Sequence, residues 1–184
     1  FGRLAMPAHL RHAFFIEGGT LGVENALKTA FDWKVRRNRA KGIAGVKGQQ
    51  VLHFRQAFHG RSGYALSLTN TDPLKTDMFP KFAWPRVSNP GLRFPVTPEV
   101  ERDTVAAEQR SLEEIDRAFA ANPDDIAAVI VEPIQAEGGD IHFRAEFLRA
   151  LQAKTREHGA FFVLDEVQTG VGITGKMWAH EHFG

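Results

Sequence analysis

Residues 159–172 read GAFFVLDEVQTGVG, and the fold turns on how Phe161–Leu164 is taken. Four apolar residues after a glycine suit a strand rather than a helix, and their unbroken apolarity predicts burial on both faces, as inside a parallel sheet. The run ends on two adjacent carboxylates, Asp165 and Glu166. In open α/β sheets ligands sit outside the carboxyl ends of the strands, so Asp165 stands where chemistry is usually done.

The same grammar repeats upstream. Ala13–Ile16, Val51–Phe54 and Ala127–Val131 are further apolar runs, each expected to be a strand. Val23, Leu27, Ala30, Phe31 and Val35 recur on one helical face and predict a helix from about Thr20 to Arg39. Lys34, Arg36, Arg37, Arg39 and Lys41 crowd its end, a solvated cluster that complements the negative helix pole. A second helix is expected over 98–121, stopped by Asn122-Pro123, and a third over 144–158, stopped by Gly159. Six of the nine prolines fall between Asn70 and Pro98, which predicts an extended excursion without a helix. Strands alternating with helices predict an α/β three-layer sandwich around a mostly parallel sheet.

Composition narrows the function. There are 184 residues, 23 basic and 22 acidic side chains, and no cysteine. A balanced charge offers no field to recruit nucleic acid or an anionic membrane surface, and without thiols there are no disulfides, which fits a reducing, cytoplasmic setting. No apolar stretch approaches a membrane span in length. The chain opens on Phe1 and stops soon after a motif-rich loop, and so reads as an internal piece of a longer protein.

Several motifs carry chemistry. In EGGTLGVENALK (17–28) two glycines precede a helix, where free backbone N–H groups and the positive helix pole suit a phosphate. The plainer reading is a tight turn with Thr20 as N-cap. In FHGRSG (58–63) an aromatic ring, Phe58, and a guanidinium, Arg61, flank a glycine; the planar fork of Arg61 suits a carboxylate, against a core phenylalanine and a surface ion pair. His59 is expected to satisfy a local backbone group. A buried, ionised Asp165 needs a cationic partner, and a protonated pyridine nitrogen is one. Glu132 and Glu137 in VEPIQAEGGD (131–140) could also form a glycosidase-like acid and base pair, a reading given little weight. His180 and His182 are expected to be exposed rather than a metal site.

Taken together, EGGTLGVENALK, FHGRSGYALSLTNT, FPKFAWP, VEPIQAEGGD and FFVLDEVQTGVGITGKMWAHE resemble the class III aminotransferases, pyridoxal-phosphate enzymes of fold type I. Within that family they are most similar to members acting on the ε-amino group of L-lysine. The resemblance implies that residues 1–184 are part of the cofactor-binding large domain. It implies that Gly19 and Thr20 hold the cofactor phosphate, that Phe58 stacks on the pyridine ring, and that Val167 packs on the opposite face. Asp165 would pair with the ring nitrogen and act as the catalytic carboxylate. Gln168 would reach the phenolic oxygen and the substrate, and Arg61 would grip the substrate's α-carboxylate. Glu137 resembles a gating glutamate that lets one pocket accept lysine and then 2-oxoglutarate, and Glu132 belongs to the hydrogen-bonded wall beside the cofactor. The glycines after Asp165 would give the substrate room.

The implied activity is transfer of the ε-amino group of L-lysine to 2-oxoglutarate, giving glutamate and 2-aminoadipate 6-semialdehyde, in a homodimer without nucleic acid, membrane or metal. The family's cofactor-bearing lysine is expected beyond this chain; Lys176 lies too close to the Asp165 motif to replace it, so the piece alone should be inactive. Two alternatives stay open: another ω-aminotransferase using 4-aminobutyrate, ornithine or acetylornithine, or a non-catalytic module that binds a phosphate ligand.

Overall fold

The computed structural model describes residues 1–184. Its sheet is built from β1 (Gln50–Phe54), β2 (Arg86–Val87), β3 (Ile126–Val131) and β6 (Phe161–Leu164), in the order β2-β1-β3-β6. All three pairings are parallel. A separate antiparallel pair, β4 (Ile134–Gln135) and β5 (Ile141–His142), folds the loop after β3 back on itself. Alternate side chains of β1 and β3 serve two cores. Val51, Ala128 and Ile130 face Val23, Leu27 and Ala30 of α1 (Gly19–Ala40) together with Ala65 and Leu68 of α2 (Gly63–Leu68). Leu52, Phe54, Val129 and Val131 face Ile115 and Phe119 of α4 (Pro98–Ala121) and Phe147, Leu148 and Leu151 of α5 (Ala145–Glu157). Helices therefore cover both faces of a parallel sheet, as parallel strands require.

The three long helices lie where periodicity puts them. Thr97 caps α4, its hydroxyl accepting from Val100 N–H at 3.2 Å, with Pro98 in the first turn. Other expectations fail for identifiable reasons. Ala13–Ile16 forms no strand and pairs with none of the sheet; Phe14 and Phe15 are 72% and 73% exposed. β6 is half-buried rather than covered on both faces, since it lies at the edge of the sheet with β3 as its one neighbour. The proline-rich excursion does contain a helical turn, α3 (Pro73–Thr76), started by Asp72, whose carboxylate accepts from Leu74 N–H at 2.9 Å. It also supplies β2, which pairs beyond β1. The loop expected after β1 turns into α2 at Gly63.

The basic end of α1 is not uniformly solvated. Lys34 is buried, and its ammonium donates to the Gly159 carbonyl at 2.7 Å and the His158 carbonyl at 3.4 Å. It thereby satisfies two acceptors at the end of α5, just before β6 begins. Burial pushes its pKa below the usual lysine value, against the raising effect of Asp124. Lys34→Ala is expected to lower the stability of the intact protein by about 1.5–3 kcal/mol, the worth of hydrogen bonds from a charged donor, measured as a lowered urea midpoint at unchanged m-value.

Candidate active site

Three neighbouring strands deliver side chains to one place. β1 leads through Ala57 to Phe58, His59 and Gly60; β3 ends in Glu132; β6 ends in Asp165. With the start of α1, these carboxyl ends line a cleft bounded by Gly19, Thr20, Phe58, His59, Gly60, Glu132, Asp165, Val167 and Gln168. The chain steps from β1 outward to β2 and then back across to β3, so the cleft lies at the point where the strand order reverses.

Asp165 is 7% exposed. One oxygen accepts the Val167 amide at 3.0 Å, and the other lies 2.7 Å from Nδ1 of His59, a ring that is itself buried. An ionised carboxylate only accepts, so Nδ1 carries the hydrogen in this contact. The expectation that His59 serves a local backbone group through its ring is therefore corrected. Its backbone N–H donates to Thr69 Oγ1 at 2.9 Å while the ring crosses to Asp165. The far ring nitrogen, Nε2, is buried without a partner. The other buried histidine, His53, is a structural group. It is pushed down to about 3 by burial, aided by the charge of Arg86, and its neutral Nε2 accepts from Arg86 Nε at 3.0 Å.

Glu132 is the second buried acid of the cleft, accepting the Phe58 amide at 2.9 Å. Burial pushes it up to about 7, assisted by Asp165 and opposed by His59 and the Phe58 amide. Adjacent strand ends thus carry two acids with different surroundings, Asp165 against a ring nitrogen and Glu132 against a backbone amide.

The start of α1 supplies an anion site. Its N-cap is Gly18 at φ 80°, and no side chain caps the first turn, so early amides remain without an intrahelical partner. Thr20 lies inside the helix rather than at the cap, which corrects the plainer reading of this turn. Gly19 has a packing reason as well: a Cβ there would meet the Val167 side chain at 2.6 Å.

Two expected site residues lie outside the cleft lining. Arg61 is exposed, with no carboxylate within ion-pair distance. Glu137 pairs with Lys75 and accepts from Thr71 Oγ1 at 2.7 Å. No lysine lines the cleft, and Lys176 donates to the Glu181 carbonyl at 2.6 Å. Glu166 has a different task from its neighbour. Its oxygens accept the Ala179 and His180 amides at 2.5 and 3.1 Å and contact His180 Nδ1 at 2.7 Å, which fastens the following loop. His180 is accordingly half-buried rather than exposed. Gly170 makes room for Trp178, whose ring a Cβ would meet at 2.6 Å, and not for a substrate.

A parallel α/β sheet thus brings the uncapped start of a helix, with donors suited to an anion, and a buried carboxylate into one cleft at its strand ends. The family model for class-III aminotransferases matches residues 4–184, and the chain belongs to that family. It is 52% identical over its full length to an L-lysine-epsilon aminotransferase of Amycolatopsis lactamdurans, of which it covers 40%. It is 37% identical over 185 residues to human mitochondrial 4-aminobutyrate aminotransferase, with 90% of this chain and 36% of that protein aligned. Among solved structures it superimposes on a lysine aminotransferase from Mycobacterium tuberculosis with a TM-score of 0.94 at 50% identity, covering 99% of this chain and 41% of that one. The chain thus spans about 40% of the length of the curated relatives named L-lysine-epsilon aminotransferase.

Enzymes of this family use pyridoxal 5′-phosphate. The residues present fit that group. Free amides at the start of α1 suit its phosphate, Phe58 and Val167 offer apolar surface for its ring, and Asp165 is a buried carboxylate suited to its protonated nitrogen.

The raised Glu132 fixes a pH dependence. Between its ordinary value and about 7, the folded state holds a proton that the unfolded chain has released, so stability falls as pH rises through this window. Glu132→Gln keeps an acceptor for the Phe58 amide and carries no charge. In the cofactor-free intact protein, the variant is expected to gain on the parent by on the order of 2 kcal/mol between about pH 5 and about pH 8, measured by urea unfolding across that range.

Proposed function

We propose that residues 1–184 are part of the cofactor-binding large domain of an aminotransferase that moves the ε-amino group of L-lysine to 2-oxoglutarate, giving glutamate and 2-aminoadipate 6-semialdehyde. The observation that carries this reading is the buried Asp165–His59 contact in the same cleft as the uncapped start of α1. The lysine preference is supported by the 50–52% identity to lysine ε-aminotransferases, against 37–42% to 4-aminobutyrate aminotransferases.

Pyridoxal phosphate supplies an electron-withdrawing ring that lets an amino group pass between two carbon skeletons. In this reading the chain's own residues bind and orient it. Gly19 and Thr20 would hold the phosphate, Phe58 and Val167 would pack against the ring, and Gln168 would bind its phenolic oxygen and the substrate. Asp165 would pair with the ring nitrogen, and His59 keeps it aimed by occupying one of its oxygens. Glu132 fixes Phe58 through its backbone amide. Arg61, free of acidic partners, binds the α-carboxylate and so leaves the distal amine of lysine to enter the cleft. Glu137 is assigned the gate between lysine and 2-oxoglutarate, with Lys75 and Thr71 as its holders in this structure. The amine that attaches the cofactor is assigned to a segment outside this chain.

A homodimer is proposed for the intact protein, supported by the exposed Phe14, Phe15, Leu74, Met78 and Phe79. A cytoplasmic location agrees with the absence of cysteine. No helix is long and apolar enough to cross a membrane.

The intact protein should form glutamate from 2-oxoglutarate faster with L-lysine than with ornithine, acetylornithine or 4-aminobutyrate, each assayed at equal concentration. Equal or higher rates with another donor would move the assignment to that ω-aminotransferase. Asp165→Ala is expected to lower kcat by about a hundredfold or more, since one preorganised electrostatic partner is worth that much, with glutamate formation as the readout. A protein that binds the phosphate ligand without amino transfer would leave no such rate to lose.

A further inference from the structure

We propose that Glu24 is a positioning residue that sets the affinity of the site for substrates bearing an α-carboxylate, acting through the loop that carries Arg61; the inference rests on the reading of Arg61 given above.

Thr20 and Glu24 are one turn apart on the same face of α1, and each meets a glycine of the 60–63 loop. Gly60 lies against Thr20 so closely that a Cβ would stand 2.5 Å from Oγ1 and 2.7 Å from Cγ2. Gly63 lies against Glu24, where a Cβ would stand 2.8 Å and 3.1 Å from the two carboxylate oxygens. Both glycines have positive φ, 120° and 43°, so the loop needs them for its conformation as well as for its fit. Glu24 also performs a task that the sequence around α2 leaves undone. The N-cap of α2 is Ser62, whose side chain makes no capping hydrogen bond, and the Ala65 amide instead donates to Glu24 Oε1 at 3.0 Å. A carboxylate from another helix therefore caps α2 and complements its positive pole.

Arg61 lies between the two pinned glycines. Thr69 adds a third tie from behind, its hydroxyl donating to the Gly60 carbonyl at 2.6 Å. A long, exposed side chain on a mobile loop would bind a carboxylate weakly, because ordering the loop would cost entropy at each encounter. With both ends of the loop held by α1, whose own start lines the cleft, the guanidinium is kept in register with the anion site at Gly19 and Thr20. Glu24 forms no ion pair with any cation, Arg61 included, so its charge is spent on the loop backbone.

The test compares L-lysine with 1,5-diaminopentane, which offers the same distal amine and no carboxylate, in the intact holoenzyme. Glu24→Ala is expected to raise KM for L-lysine about five- to tenfold with kcat held within about twofold and the diamine unaffected, because misplacement of a binding group costs affinity for what it binds. The calorimetric Kd of hexanoate, a carboxylate that cannot be turned over, should weaken by the same factor. Glu24→Gln, which still offers Ala65 an oxygen, should restore both values. Should Glu24→Ala fail to fold, Gly63→Ala presses a methyl on the same carboxylate and is expected to shift the same ratio. Equal effects on both donors, or lower thermal stability with unchanged KM and Kd, would overturn the proposal. Arg61→Ala separates the two levels. If it raises KM for L-lysine while Glu24→Ala does not, the positioning role is wrong. If it leaves the donor ratio unchanged, the carboxylate reading of Arg61 fails and takes the proposal with it.

Discussion

Asp165 has little access to water, yet both oxygens of its carboxylate have partners. An isolated buried carboxylate would be driven to its neutral form. Here one oxygen accepts a backbone amide and the other the ring hydrogen of His59. Each contact comes from a different part of the fold: the amide from the turn that follows β6, the imidazole from the segment after β1, a strand separated from β6 by β3. The parallel sheet has to be assembled in this order before both oxygens of Asp165 find their partners at the strand end. The chemistry of the cleft depends on that order.

The rest of the cleft follows the same economy, in which a strand end or helix start presents a group and a distant segment holds it. Glu132 leaves β3 and ties down the Phe58 backbone after β1. Lys34, deep in α1, holds the carbonyls immediately before β6. Glu24 holds the Ala65 amide of α2, and Glu166 holds those of residues 179 and 180. Asp165 and Glu166, adjacent in the chain, thus divide their work: one faces the cleft, and the other secures the loop that leaves it. Charged side chains bonded to orphaned backbone groups are strong and directional, which suits a site whose parts come from separate loops.

The fold class was legible because strands and helices depend on local signals, and the candidate site because five motifs in order resemble one family. An apolar run ending in Asp165, a glycine pair before an amphipathic helix, and an aromatic-glycine-arginine loop point to a ligand site only when taken together. Seven of the expected residues, Gly19, Thr20, Phe58, Glu132, Asp165, Val167 and Gln168, share one cleft. His59 was assigned the wrong partner because nothing in the sequence near residue 59 points to residue 165. The exposed Ala13–Ile16 run misled for the matching reason, since apolarity signals a strand only where another strand is available to receive it. Arg61 and Glu137 lie beyond the cleft lining, the first free and the second held by Lys75, and spacing alone has no access to such pairings.

What the sequence determined by itself was the three long helices, the strands β1, β3 and β6, and the chemical type of their termini. Helical periodicity, strand apolarity and the glycine, proline and capping positions are short-range preferences written into neighbouring residues. What only the tertiary structure decided was which termini meet: the strand order that places β6 at the edge, the burial of Lys34, and the contacts of Asp165 with His59, Glu132 with Phe58 and Glu24 with Ala65. Those pairings bridge 41 to 106 positions along the chain. They arise when burial of the two cores fixes the sheet, and the polar groups brought inside must then find partners wherever the fold has put them.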